Sequence, residues 1–330
     1  MHAAAKNLRG GGGSPRSTRL RGQSIIEYVL IIAVIGLVIV FAGPGVAGAI
    51  RNQFNLVGNT VNNGTTGGIE GGGASGGGSA GADSATVQAA IAKDANDWTL
   101  DEQKALAEDI AAKGEASPAY AKAKAAMDAG TKFSMKLTNG KTLEYKIIGI
   151  NHDDLADGTG KAGLTFLTTS TGISSCMNME KVNAGGWEKS DVRAKMNSGE
   201  IWNLMPSDFQ TKVKAVTKLT NNGSAIDKND AVTATIDKLF LLSYSEIVPT
   251  SLWANNYKWT SSEGAQYEAF ENKVTNNHSE NAAISIGVFW WQRTAYPGST
   301  TFFLRVHNNG NPQVNGNASD TFCICPAWCF

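Results

Sequence analysis

The chain has 330 residues, 29 Lys+Arg against 29 Asp+Glu, 37 Gly and 4 Cys. Residues 1–22 hold five of the basic residues and no acid, so without them the balance is 24 against 29, a net charge of −5. That length allows two or three domains, four Cys exclude a disulfide-built miniprotein, and the mildly acidic remainder argues against nucleic-acid binding.

Residues 1–22 are basic, with Arg16, Arg19 and Arg21 just ahead of the apolar run Ile25 to Phe41. Extended to Ile50, this stretch is long enough to cross a hydrocarbon core of about 30 Å as a helix. The flanking arginines predict that residues 1–22 stay cytoplasmic and that the chain beyond Ile50 is exported. Glu27 interrupts the run, and a carboxylate inside such a segment is costly enough to point to function. The alternative is a plain single-pass anchor.

The order Arg21-Gly22-Gln23-Ser24-Ile25-Ile26-Glu27-Tyr28 resembles the processing site of type IV pilins of the Flp/Tad class. The resemblance implies cleavage after Gly22 by a prepilin peptidase, leaving a new amine on Gln23. It also implies that Glu27 pairs with the amino terminus of a neighbouring pilin subunit in a homo- or hetero-oligomeric filament, with Tyr28 completing the motif. Two opposite charges in an apolar bundle are tolerable together and not singly. The expected location is therefore the inner membrane before assembly, then an extracellular pilus or the cell surface.

Residues 58–82 are rich in Gly, Ser and Asn and predict a flexible linker. Residues 83–130 read as a helical stalk. Thr99-Leu100-Asp101-Glu102 has the form of a capping box, Ser117-Pro118 opens a further helix, and Gly114 and Gly130 offer stops. Trp98, Leu100, Leu106, Ile110, Tyr120 and Met127 are the packing positions.

From residue 131 the texture becomes β-like. Asn139-Gly140 between alternating runs predicts a hairpin, and GLTFLTT, KLFLLS, VFWW and TFFLRV are further strand candidates. KSDVRAKMNSGEIWNLM and SDFQTKVKAV have helical spacing. The predicted fold class is α+β: an amino-terminal hydrophobic helix over 23–57, the linker, the stalk, and a head over 131–330.

The head resembles a bacterial domain of unknown function that accompanies surface proteins and has a C-type-lectin-like relationship. The matching residues are Trp187, Ser190, Arg193 and Asn197, then Asp237 to Ser243 with Glu246, then Trp290, Trp291 and Arg293, and the terminal CICPAWCF. Cys325 stands where relatives often carry Arg, which removes any salt bridge made there. The resemblance implies that Trp187, Arg193, Trp290, Trp291, Arg293 and Pro326 are scaffold.

Residues 294–320 contain no Lys, Glu, Met, Trp or Cys and one Gln. This alphabet is nearly what adenine-directed randomisation of Asn codons yields, and the segment resembles the variable region of a diversity-generating retroelement target. An Asn/Gly/Thr-rich loop is the alternative. The implied ligand surface is Tyr296, Ser299, Thr300, Phe303, Arg305, His307, Asn309, Asn311, Asn315 and Asn317. Strand alternation puts Phe303, Arg305, His307 and Asn309 on one outward face, with Leu304 and Val306 inward.

No enzyme motif stands out, and no cofactor, metal or catalytic residue is expected. His152-Asp153-Asp154 with Asp157 lacks EF-hand spacing and reads better as a polar turn. Cys323, Cys325 and Cys329 lack zinc-site spacing, and a disulfide involving Cys329 or Cys176 is the better expectation in an exported protein. Ser243 and Ser245 have no nucleophile elbow. The reading is a minor or tip pilin-like adhesin with a variable extracellular ligand. Its rivals are a membrane-anchored receptor with the same head and an exported enzyme of the sulfatase-modifying fold.

Overall fold

A computed structural model describes residues 84–222, 232–252, 262–278 and 281–330. The processing motif Gly22, Gln23, Glu27 and Tyr28, the apolar stretch over 23–57 and the linker over 58–82 lie outside the described residues.

Three helices come first: α1 (Ser84–Ala92), α2 (Leu100–Lys113) and α3 (Tyr120–Ala129). The capping box at the start of α2 is present: Thr99 accepts from the Glu102 amide while Glu102 accepts from the Thr99 amide. Gly130 ends α3 in the left-handed region at φ 65°, where a side chain would be strained.

These helices cover one face of the first sheet, whose order is β1-β2-β3-β11, from β1 (Phe133–Lys136), β2 (Thr142–Ile150), β3 (Leu164–Thr168) and β11 (Ala327–Cys329). All neighbours are antiparallel, and the chain's last strand pairs Trp328 with Phe166. Trp98 stacks on Phe133 at 5.9 Å, and the Tyr145 hydroxyl donates to Gln103 Oε1 at 3.1 Å. A Cβ built on Gly163 would lie 1.8 Å from the Ala107 carbonyl oxygen, so α2 sits with its backbone directly on the sheet.

The second sheet has the order β4-β10-β7-β8-β9, from β4 (Ser174–Ser175), β7 (Trp290–Ala295), β8 (Phe302–Val306), β9 (Val314–Asn317) and β10 (Phe322–Cys323). The pair β5 (Val216–Asn221) and β6 (Val232–Asp237) forms a separate ribbon. Short helices α4 (Gly186–Lys189), α5 (Asp191–Asn197), α6 (Glu200–Leu204), α7 (Ser207–Gln210) and α8 (Tyr244–Ile247) link them.

Several expectations are corrected. Among the described residues no helix is long and apolar enough to cross a membrane; α2, at 14 residues, is the longest. A span needs about 20 predominantly apolar residues, so the predicted fold class and the predicted membrane insertion with later surface display are not supported. Helices and strands are both present. Residues 84–130 are not a free-standing stalk, because their apolar positions are buried against β1 and β2 within one compact unit with the head. KLFLLS forms no strand: Leu239 to Leu242 are each fully buried, with a single bridge from Phe240 to Ala327. The helical reading of SDFQTKVKAV holds only for the four residues of α7. All four cysteines are free thiols, so no disulfide joins Cys329 or Cys176.

Candidate functional site

Beneath the second sheet lies a closed network of charges. Arg293 on β7 is fully buried; its Nη1 and Nη2 grip Glu246 at 2.5 and 2.9 Å, Nε donates to Thr220, and Nη2 also donates to the Glu263 carbonyl at 2.7 Å. Lys218 on β5 reaches Asp153 at 2.5 Å and Glu246 at 2.6 Å, and Tyr267 donates to Asp153. The third carboxyl, Glu263, accepts from the Asn221 amide and the Thr294 hydroxyl. Asp153, Lys218, Glu246, Glu263, Tyr267 and Arg293 are each at most 4% exposed.

Their titration follows from that burial. Burial opposes ionisation of Asp153 and Glu246, but Lys218 and Arg293 overcome it and hold both below the ordinary carboxylate range. Glu263 is governed by burial, which raises it to about 7 against the partial relief from Arg293. Two cations thus face three carboxyls, and the third readily keeps a proton. Asp153 is part of this network, not of the polar turn expected from its neighbours.

A second buried acid organises the helical side. Asp237 accepts from Arg193 Nε at 2.6 Å, Trp187 Nε1 at 3.0 Å and Thr235 at 2.6 Å. Asn197 bridges to the Leu239 carbonyl at 2.9 Å. Trp187, Trp290, Trp291 and Pro326 are buried. The scaffold residues therefore meet in two satisfied polar clusters and the core around them. Lys218, Glu263 and Tyr267 belong to the same machinery and were missed, since none carries a local spacing signal.

The tail folds as the end of β7, then β8 and β9 with their connecting loops. Phe303 is fully buried and is removed from the predicted ligand surface. Its strand lies inside the sheet between β7 and β9, so both of its faces are partly covered. Register separates the remaining candidates. Trp291 pairs with Arg305 and Phe303 with Gly316, which places Arg305 and His307 on one face. Phe302 pairs with Asn317 and Leu304 with Asn315, placing both asparagines on the other.

On the first face the Arg305 guanidinium lies 4.1 Å from the Phe289 ring centroid and 4.2 Å from that of Phe322. The two rings are 5.6 Å apart and inclined by 54°, so the cation sits over the V they make. Trp291 supports Phe322 from below at 4.9 Å. His307 meets the Phe289 ring edge-on at 4.5 Å. Partial burial pulls the Arg305 pKa below its ordinary value, and Asp320 pulls it the other way. Phe289 and Phe322 lie outside the compositionally odd segment, which is why composition did not reveal them.

The loops of the tail are held through their carbonyls by side chains outside the loops, and through several amides by their own Ser299, His307, Asn309 and Asn311. Asn183 donates to the Ser299 and Phe302 carbonyls at 2.9 and 2.8 Å. Asn281 donates to the Gly310 carbonyl, Ser285 to that of Asn308, and Gln292 to that of Pro312. Thr300 and Asn309 are exposed, and Tyr296, Ser299 and Asn311 are half-buried. Among the described residues no group of three or more His, Cys, Asp or Glu is placed to hold a metal ion.

No curated protein and no solved structure matches the chain. One family does match, over residues 162–330, which takes in the Asp237 cluster, all of the charge network except Asp153, and the whole tail. The chain belongs to the family described as Domain of unknown function (DUF6273).

Proposed function

We propose that the chain is a non-catalytic, adhesive binding protein whose ligand surface is built from the 294–320 tail together with Phe289 and Phe322. One observation carries this reading: the tail's loops are fixed through their backbone carbonyls by Asn183, Asn281, Ser285 and Gln292. Tyr296 and Thr300 can then vary without loosening the loops that present them, while Ser299, His307, Asn309 and Asn311 each also accept from a loop amide. Aromatic and Arg side chains supply most interface energy, and Asn and Ser supply adaptable contacts. The diversified character of the tail belongs to the same proposal, as does the lectin-like reading of the head from its motif order. So do cleavage after Gly22 by a prepilin peptidase and subunit pairing through Glu27.

A substitution scan of those six positions in the full chain tests the reading, with thermal midpoint and binding to a glycan array and fixed cells as readouts. Changes at Tyr296 and Thr300 are expected to shift the midpoint by about 2 °C or less, as surface substitutions do. Those at Ser299, His307, Asn309 and Asn311 are expected to cost somewhat more through the lost amide bond, and all six to change which targets are bound. Binding that ignores all six, with large losses of stability, would make the tail framework and overturn the proposal. Mass spectrometry of the amino terminus tests the processing motif: a start at Gln23 supports it, a start at Met1 defeats it.

A further inference from the structure

Arg305 is held in one orientation and only partly used. Its Nε donates to the Asn315 carbonyl at 2.8 Å, and its plane is fixed over the Phe289 and Phe322 rings. Among the described residues no acceptor engages Nη1 or Nη2, and no carboxylate lies within salt-bridge distance. Asp320 acts on it only at longer range, its Oδ2 accepting from the Asn317 amide. His307 Nδ1 accepts from the Asn309 amide at 3.3 Å. In the neutral ring that puts the proton on Nε2, making a further donor beside Phe289. A pre-set guanidinium edge with two free nitrogens matches a carboxylate bidentately, and a fork already immobilised loses little entropy on binding.

Resting on the binding reading above, we propose that this face recognises the carboxylate of an acidic saccharide, a uronate-type residue. The Arg305 edge takes the carboxylate, and the apolar C–H face of the sugar ring packs against Phe289. Peptide recognition by strand addition has no foothold at Arg305, because β8 is paired on both sides by β7 and β9. Recognition here runs through side chains, which suits a ligand offering one charge and one apolar ring face.

The test uses the full chain at physiological salt against immobilised polygalacturonate, its fully methyl-esterified form, and poly-glutamate. Wild type is expected to be retained on polygalacturonate and displaced by free galacturonate, and to pass through the ester. Arg305→Lys keeps the charge but loses the fork, and Arg305→Met keeps the stem alone; each is expected to weaken retention at least about tenfold. Unchanged thermal midpoints show that both variants fold. Retention of Arg305→Lys at the wild-type level, equal retention on poly-glutamate, or no retention on polygalacturonate would each overturn the inference. If Arg305 variants keep the array and cell binding that the six-position scan alters, the carboxylate inference fails while the tail remains the binding surface.

Discussion

Glu263 is where a single side chain makes the fold sensitive to pH. A carboxyl raised from 4.5 to about 7 in the folded protein stabilises it below pH 4.5, where both states are protonated, and that contribution is lost as pH rises through 7. Glu263→Gln keeps an acceptor for the Asn221 amide and a partner for Thr294. Its thermal midpoint is expected to fall less than that of wild type between pH 5 and pH 8; parallel curves would show that Glu263 does not titrate in this window. Asp153 and Glu246 are lowered, so their contribution is present above the ordinary carboxylate range and is lost only in acid. Lys218 serves both of them. Lys218→Ala leaves two buried carboxylates short of a partner and is expected to cost about 3–5 kcal/mol in urea denaturation, and a loss under about 1 kcal/mol would mean the site relaxes around water. At this scale the motif residues Trp187, Arg193, Asp237, Glu246 and Arg293 were legible. Lys218 and Glu263 were not, because they lie outside the motifs that carried the others and no neighbour in the chain marks them, their partners being 28 or more positions away.

At the scale of the element, local signals and tertiary burial part company. The Asn139-Gly140 hairpin forms, with Gly140 at φ 81° and Lys136 paired to Thr142. Alternation in β8 is also present, but both faces of an interior strand are partly covered, so Phe303 is buried on the face that Arg305 shares. Pattern alone reports the period of a strand and not its place in the sheet. Gly163 shows the reverse case, a sequence feature without a signal. Ala107 backbone stands so close that Gly163→Ala must push α2 off the sheet. Overpacking of this kind costs about 1–3 kcal/mol, and the expected outcome is a lowered thermal midpoint with tryptophan emission shifted to the red as Trp98 is uncovered. An unchanged midpoint would show that α2 slides without loss.

For the whole molecule, the consequence is that the helices over 84–130 are structural parts of the head. A chain beginning at residue 83 is expected to unfold cooperatively within about 2 °C of the full protein, whereas one beginning at residue 131 exposes Phe133, Leu143 and Tyr145 and is expected to lose cooperative unfolding. Cooperative unfolding of the shorter chain at the same temperature would restore the stalk reading.

What the sequence by itself determined is local: the Thr99 cap, the Asn-Gly turn, the apolar periods, and the restricted alphabet of residues 294–320. Those depend on backbone dihedrals and hydrogen bonds spanning a few residues, so neighbours suffice to encode them. Only the tertiary structure decided that five charged groups from five separate segments share one buried network. It alone decided that Phe289 and Phe322, from either side of the tail, fix Arg305. Burial and pairing are properties of surfaces brought together from distant positions, and the free energy of a charge or a ring is set by what covers it.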